Sequence, residues 1–220
     1  MTHKLIVFDW NGTLLADTLP SLKASNACLE FYGRPPITME RFRETFNFPI
    51  LHFYKLNGIS TDEMLARKEE SNIVFQSSYE ALAANTRLRK GARELLQWCN
   101  DQGHTCMILS NYMTDKITAH LHRLKIRHHF ADISAHDCDG TTILHKTTKA
   151  QRLSEYMLKR NYKPAETIII GDSTEEPEIA RQLGLTSIGI TDGAISRPRL
   201  KKAAPNHMIN TLSQCKPLIQ

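Results

Sequence analysis

The second half of the chain alternates between short apolar runs and helical patterns, and this alternation limits the fold more than any other feature. The apolar runs predict buried strands, and the stretches between them carry apolar residues at helical spacing. Such alternation is typical of βαβ units in a mostly parallel sheet. Strands are predicted at residues 4–8, 105–109, 131–134, 167–170 and 187–190, with helices at 114–124, 149–160 and 177–183. The predicted fold is an α/β core with a doubly wound, Rossmann-like parallel sheet.

Residues 19–89 lack this alternation and contain helical patterns broken by turn signals such as Gly33–Pro36 and Gly58. A helical stretch of this size after the first strand predicts a separate subdomain. We expect a core from residues 1–17 and 88–220 and a helical cap from residues 18–87. A cap of this kind closes over a site and excludes water. We expect its aromatic residues Phe46, Phe48, Phe53 and Tyr54 to serve mainly in packing between cap and core.

Composition excludes several classes of protein. The 220 residues are 41% hydrophobic and 23% charged, which is ordinary for a globular protein. No apolar stretch approaches the roughly 20 residues of a membrane span, and the apolar run before Asp9 is too short for a signal peptide. The five cysteines form no CxxC pair, which favours a reducing compartment. We therefore expect a cytoplasmic protein without a membrane partner.

The formal net charge of +5 lies entirely beyond Asp192. The basic residues of this segment are Arg197, Arg199, Lys201, Lys202 and Lys216. A basic terminus can attract nucleic acid, but this one has few charges and no interleaved aromatic residues. We expect a solvated face here and no nucleic acid partner.

Polar residues follow three of the predicted strands, where ligands bind in an open parallel sheet. Asp9 follows the first strand, Ser110 follows the second, and Asp172 follows the strand at 167–170. Two carboxylates could share a Mg²⁺ ion, which takes oxygen ligands and phosphate oxygens. Ser110 and a lysine could then bind the remaining phosphate oxygens, and an ionised carboxylate can attack phosphorus to give an aspartyl-phosphate.

Four segments occur in the order FDWNGTLL, ILSN, a lysine that opens a helix, and IIIGDSTEE. Together they resemble the four motifs of the haloacid dehalogenase superfamily of phosphohydrolases. The spacing is similar to that of the phosphoglycolate-phosphatase branch, whose helical (C1-type) cap is inserted after the first motif. The resemblance implies a phosphatase that acts on a small phosphorylated molecule with Mg²⁺ as cofactor.

The resemblance also implies a role for each matching residue. Asp9 would be the nucleophile and a metal ligand, with the backbone carbonyl of Asn11 and the carboxylate of Asp172 as further ligands. Ser110 and Asn111 would bind the transferring phosphoryl group, and Thr13 would orient the loop that carries Asp9.

Two positions of the pattern remain open. The motif lysine is Lys149 or Lys146, and we favour Lys149 because it begins an amphipathic helix that leads to the GDS strand. Lys149 would neutralise charge on Asp9 and on the phosphate. Glu176 stands where the superfamily usually has an aspartate near the metal. Its longer side chain reaches the metal through water or only caps a helix.

Asn11 is the main departure from the superfamily pattern. Most phosphatases of the superfamily have an aspartate there, which protonates the leaving group and then activates water. An amide can do neither, and general acid–base catalysis typically contributes about 10²–10⁴-fold. The loss matters least for good leaving groups, such as those of acyl or aryl phosphates.

Three hypotheses follow from Asn11. The first is a Mg²⁺-dependent phosphatase with a reactive substrate or another source of the proton. The second is hydrolysis of a C–P or C–halogen bond, as in relatives that lack this aspartate; phosphonoacetaldehyde hydrolases use a cap lysine, for which Lys23 and Lys55 are candidates. The third is a non-catalytic protein that binds a phosphorylated ligand.

Overall fold

The computed structural model describes residues 3–137 and 148–220, and these form one six-stranded sheet. All neighbouring strands are parallel, and their order across the sheet is β3-β2-β1-β4-β5-β6. The strands are Leu5–Phe8 (β1), Thr105–Met113 (β2), Phe130–His136 (β3), Thr167–Gly171 (β4), Thr186–Ile190 (β5) and His207–Ile209 (β6).

Helices cover both faces of this sheet, which confirms the predicted doubly wound fold. Ile6 and Phe8 of β1 pack with the helices on one face, and Leu5 and Val7 pack with those on the other. The α-helices are Thr18–Phe31 (α1), Met39–Thr45 (α2), Ile50–Leu56 (α3), Thr61–Ala66 (α4), Lys68–Ala83 (α5), Ala92–Asp101 (α6), Thr114–Arg123 (α7), Lys149–Arg160 (α8), Glu175–Leu183 (α9), Arg197–Lys202 (α10) and Lys216–Ile219 (α11).

Helices α1 to α5 lie between the first strand and the rest of the core, and they have a hydrophobic cluster of their own. Phe42, Phe53 and Ile59 are among its buried members. The two connections to the core run side by side, because Leu15 bridges Leu88 and the amide of Ala16 donates to the carbonyl of Arg87 at 2.9 Å. We therefore keep residues 18–87 as the proposed cap.

The C-terminal third differs from the sequence-based expectation. Strand β6 and helices α10 and α11 are three to six residues long, too short to give a periodic pattern. Strand β2 extends to Met113, beyond the predicted end at 109. Arg199 of the basic segment contacts the cap, because its guanidinium donates to the carbonyls of Arg43 and Phe46 at 2.8 and 2.7 Å. Among the described helices, none is both long and apolar enough to span a membrane.

Candidate active site

The loop after β1 carries Asp9 to the carboxyl edge of the sheet. The amide of Asp9 donates to the carbonyl of Ile170 at 2.9 Å, which ties this loop to β4. Gly12 has a φ of +70°, and a Cβ there would lie 2.1 Å from Oδ2 of Asp172. Only glycine permits both this backbone conformation and this approach. The loops that carry Asp9 and Asp172 therefore meet, as the sequence predicted for adjacent strands.

Lys149 lies at the start of α8 and points into the same site. Thr148 caps this helix, and its hydroxyl accepts from the amide of Gln151 in a capping box. The ammonium Nζ of Lys149 lies 2.8 Å from Oδ1 of Asp9, 3.0 Å from Oε1 of Glu176 and 3.3 Å from Oε2 of Glu175. The other sequence candidate, Lys146, lies outside the described residues. Lys149 thus has the contact with Asp9 that a charge-neutralising lysine requires.

Burial and nearby charges shift the pKa values of Asp9 and Lys149 in opposite directions. Burial raises the pKa of the Asp9 carboxyl well above its ordinary value, although the Lys149 ammonium opposes the shift. Burial alone would lower the pKa of Lys149, but the Asp9, Glu175 and Glu176 carboxylates raise it well above its usual range. Lys149 is therefore charged at neutral pH and favours the ionised form of Asp9.

Asp172 is buried at the end of β4 and accepts two neutral hydrogen bonds. The hydroxyl of Thr13 donates to Oδ1 at 3.2 Å, and the amide of Ala194 donates to Oδ2 at 2.6 Å. A Cβ on Gly193 would lie 2.0 Å from the same Oδ2, so this carboxylate fills a closely fitting backbone cradle. Burial raises its pKa to about 7. Thr13 thus binds the second carboxylate of the site.

Glu176 lies behind Lys149, and both of its carboxylate oxygens accept hydrogen bonds from the protein. Oε1 accepts from Lys149, and Oε2 accepts from the Ser173 hydroxyl at 2.7 Å. Burial alone would raise its pKa, but Lys149 and Ser173 hold it below the ordinary value. In this arrangement Glu176 positions the lysine.

Ser110 and Asn111 lie in β2 and line the same cavity as Asp9. The Ser110 hydroxyl accepts from the amide of Tyr112 at 3.0 Å. The Asn111 amide donates to Oε2 of Glu175 at 2.9 Å. The sequence did not place Glu175 in the site, because its contacts with Lys149 and Asn111 depend on the packing of three separate segments.

The side chain of Asn11 is bound to two residues that the sequence did not suggest. Its Nδ2 donates to Oδ2 of Asp17 at 2.7 Å and to the hydroxyl of Tyr79 at 2.8 Å. The Tyr79 hydroxyl also donates to Asp17, and the amide of Gly12 donates to Oδ1 of Asp17 at 2.6 Å. Since Tyr79 belongs to α5, this network joins the loop after β1 to the proposed cap.

The donor set fits a hard divalent cation. The carboxyl groups of Asp9, Glu175 and Glu176 surround the Lys149 ammonium, and Asp172 lies near Asp9 in the same buried site, so the carboxyl groups outnumber the ammonium. Within residues 3–137 and 148–220, no three His, Cys, Asp or Glu side chains form a metal site on their own. Mg²⁺ typically needs only one or two carboxylates beside water and phosphate oxygens. Asp9, Asp172 and the backbone carbonyl of Asn11 are suitable oxygen donors.

A cavity of about 260 Å³ lies over these groups, between the core and the cap. Asp9, Ser110, Lys149 and Asp172 lie on its core side. The cap side carries both aromatic rings and polar residues. Its rings come from Phe42, Phe46, Phe48, Tyr54, Phe75 and Tyr79, and its polar residues are Thr18, Ser21, Ser25, Lys68, Ser71, Asn72 and Gln76. The cavity therefore combines a charged floor with a roof in which aromatic rings are the largest side chains.

A doubly wound sheet with this aspartate–lysine pair at its carboxyl edge defines a hydrolase of the haloacid dehalogenase type. The family model for haloacid dehalogenase-like hydrolases matches residues 6–190, and the chain belongs to that family. The chain is 28% identical over 209 residues to a phosphoglycolate phosphatase of Synechococcus elongatus, covering 94% of this chain and 93% of the relative. It is 26% identical over 216 residues to a phosphoglycolate phosphatase of Pseudomonas putida, covering 95% of this chain and 77% of that protein.

Solved structures support the fold. A haloacid dehalogenase-like hydrolase from Streptococcus pneumoniae superposes with a TM-score of 0.81 at 20% identity, covering 99% of both chains. A hydrolase from Pseudomonas syringae superposes with a TM-score of 0.74 at 18% identity, covering 97% of this chain and 96% of the other. The superpositions extend over the core and the cap, so these proteins share the whole architecture.

Proposed function

We propose that the chain is a Mg²⁺-dependent phosphatase that hydrolyses a small phosphorylated molecule through an aspartyl-phosphate at Asp9. The observation that carries the proposal is the 2.8 Å contact between the Lys149 ammonium and the Asp9 carboxylate at the floor of the cavity. Membership of the hydrolase family and the phosphoglycolate phosphatases among its relatives support phosphoryl transfer. A cavity of about 260 Å³ suits a small substrate.

The side chains divide the first half of the reaction between them. The Asp9 carboxylate attacks phosphorus, while the Ser110 hydroxyl and the Asn111 amide bind the phosphoryl oxygens. Lys149 offsets the charge that carboxylate and phosphate bring together, and Glu176 holds Lys149 in place. Mg²⁺, bound by Asp9, Asp172 and the Asn11 carbonyl, would offset the remaining negative charge. Fixed charges of this kind supply a large part of enzymatic rate enhancement.

Asn11 restricts which substrates turn over. Its amide has no proton to transfer at neutral pH, and both of its N–H groups are directed at Asp17 and Tyr79. Protonation of the leaving group and deprotonation of water therefore proceed without the aspartate that most relatives use. A non-catalytic protein that binds a phosphorylated ligand is the second candidate. The hydrogen bonds that hold the Asn11 side chain to Asp17 and Tyr79 are the observation that favours it.

Hydrolysis of a C–P bond through a cap lysine has less support. Lys23 and Lys55 are exposed, and neither lies on the wall of the cavity that holds Asp9. The cap lysine on that wall is Lys68, at the start of α5.

The state of the cysteines bears on localisation. The described cysteines Cys28, Cys99, Cys106 and Cys215 are free thiols, which supports the proposal of a cytoplasmic protein.

The test is phosphate release from acetyl phosphate and 4-nitrophenyl phosphate, with Mg²⁺ and with a chelator. Wild type, Asp9→Asn and Asp101→Asn are compared; Asp101 is an exposed aspartate at the end of α6 and serves as the matched control. We expect Mg²⁺-dependent release in wild type and Asp101→Asn, and none in Asp9→Asn. Binding of phosphate without release from either compound would instead support the non-catalytic candidate.

A further inference from the structure

We propose that the substrate is an aryl phosphate, in which the phosphoryl group is esterified to a phenolic oxygen. This inference rests on the proposed phosphatase function and names the substrate class of the same site. Two independent features point to it: the aromatic wall of the cavity and the inability of Asn11 to protonate a leaving group.

The wall above the phosphoryl site is a continuous set of aromatic rings. Phe75 and Tyr79 of α5 stack with ring centroids 5.8 Å apart and an interplanar angle of 5°. Tyr79 meets Tyr112 of β2 edge-to-face at 5.4 Å. Aromatic rings favour other rings in such offset or edge-to-face arrangements. The wall therefore extends from the cap to a position two residues beyond Ser110.

A second group of rings also lines the cavity. Phe46 lies 5.0 Å from Phe42 and 5.5 Å from Phe48, measured between ring centroids. All three rings line the cavity. A ligand seated against these residues and Phe75 would leave water for an environment rich in aromatic rings, which favours a flat, apolar leaving group.

The volume accommodates one ring and a phosphoryl group. An apolar cavity of about 150 Å³ is sufficient for benzene, and this cavity holds about 260 Å³. Within the described residues the cap adds one cationic side chain to the wall, Lys68.

The chemistry of the leaving group also favours an aryl phosphate. The Asp9 carboxylate forms the O–P bond while the P–O(aryl) bond breaks and its electron pair departs on the phenolate oxygen. A phenol has a pKa of about 10, so the phenolate leaves unprotonated and takes its proton from solvent water. An aliphatic alcohol is about as weak an acid as water, so its alkoxide needs a proton during departure, and Asn11 cannot supply it. Water then attacks phosphorus, the Asp9–phosphorus bond breaks, and orthophosphate and the Asp9 carboxylate are released.

Four substrates distinguish the effect of a ring from the effect of a good leaving group. Phenyl phosphate has both a ring and a good leaving group, whereas cyclohexyl phosphate has a ring of similar size and a poor leaving group. Acetyl phosphate has a good leaving group without a ring, and 2-phosphoglycolate has neither. We expect kcat/KM for phenyl phosphate to exceed that for cyclohexyl phosphate by at least about 100-fold. It should exceed that for acetyl phosphate by at least about tenfold.

A variant series tests the wall itself. Phe75→Ala should lower the ratio of kcat/KM for phenyl phosphate to that for acetyl phosphate by about tenfold, and Phe75→Leu should recover part of it. Phe31→Ala is the control, because Phe31 packs in the same cap cluster but does not line the cavity, and the ratio should not move.

The possible outcomes distinguish failure of the aryl phosphate proposal from failure of the proposed phosphatase function. Turnover of cyclohexyl phosphate or 2-phosphoglycolate as fast as phenyl phosphate, with release still abolished in Asp9→Asn, would overturn the aryl phosphate and leave the phosphatase standing. A ratio unmoved by Phe75→Ala would also overturn it. Release from none of the four substrates, or release that survives Asp9→Asn, would overturn the phosphatase and this inference together.

Discussion

The side-chain amide of Asn11 donates a hydrogen bond to Oδ2 of Asp17 at 2.7 Å, beside the proposed nucleophile Asp9. Asp17 precedes the first cap helix, and its second oxygen accepts from the amide of Gly12. The amide at position 11 therefore has a structural partner that a carboxylate could not keep, since two carboxylates at this distance repel each other. Asn11, the residue that departs from the superfamily pattern, is therefore part of the hydrogen-bonded connection between core and cap.

Replacing Asn11 by aspartate should destabilise the protein, although it restores the usual residue of the superfamily. Asn11→Asp brings a second carboxylate against the buried Asp17, and we expect a loss of about 1–3 kcal/mol in the free energy of unfolding. Urea denaturation in chelator at pH 7.5 measures it. Asn11→Asp/Asp17→Asn should recover most of the loss, because one amide and one carboxylate again face each other.

The control for this pair is Asn100→Asp, an exposed position in α6. It should change the free energy of unfolding by less than about 0.5 kcal/mol. On cyclohexyl phosphate, the double variant should turn over faster than Asn11→Asp alone, because its new carboxylate is not repelled by Asp17. Equal stability of Asn11→Asp and wild type would show that the two side chains do not interact as described.

Lys149→Met should remove activity. Lys149 is the ammonium between Asp9 and Glu176, so its loss leaves carboxylates that repel both each other and the phosphate. We expect kcat/KM for 4-nitrophenyl phosphate to fall by at least about 100-fold. Lys159→Met, an exposed lysine on the same helix, should stay within twofold of wild type. A matching loss in both variants would point to damage of α8 and not to the charge at the site.

Arg199→Met should loosen the contact between cap and core. Its guanidinium donates to the carbonyls of Arg43 and Phe46 at the end of α2, and substitution leaves both without this donor. Hydrogen–deuterium exchange in peptides of α2 should accelerate about tenfold, which corresponds to about 1.4 kcal/mol of local stability. Arg197→Met, at an exposed position two residues earlier, is the control. Unchanged exchange in Arg199→Met would argue that the contact contributes nothing.

Acid should destabilise the fold partly through His120. Burial lowers the pKa of this imidazole below its ordinary value of 6.5. The unfolded chain therefore binds a proton at His120 more readily than the folded chain does. The contribution of the neutral imidazole to the free energy of unfolding is present above about pH 6.5 and is lost as the pH falls through the pKa of the folded state. The difference in free energy of unfolding between pH 7.5 and pH 5.5 should be smaller in His120→Gln than in wild type. His122→Gln, exposed on the same helix, should keep the wild-type difference.

The fold was largely readable from the sequence because buried parallel strands and amphipathic helices leave distinct patterns. Helix α8 begins and ends where its pattern predicts, and Asp9 and Asp172 meet because parallel strands share a carboxyl edge. Asp17, Tyr79 and Glu175 could not be assigned, since their contacts join segments far apart in the chain and no local pattern encodes them. Phe46, Phe48 and Tyr54 line the cavity, whereas Phe53 packs inside the cap, a distinction that depends on side-chain direction alone.

The most direct test of the account is to trap the phosphorylated enzyme. The protein is mixed with 4-nitrophenyl phosphate and Mg²⁺, quenched in acid within the first turnovers, and digested for mass spectrometry. Because Asn11 cannot activate water, the second step should be slow, so a burst of nitrophenol should precede steady release. We expect one phosphoryl group on the peptide that contains Asp9, and none in Asp9→Asn. Steady turnover with that peptide unmodified, or turnover that persists in Asp9→Asn, would contradict it.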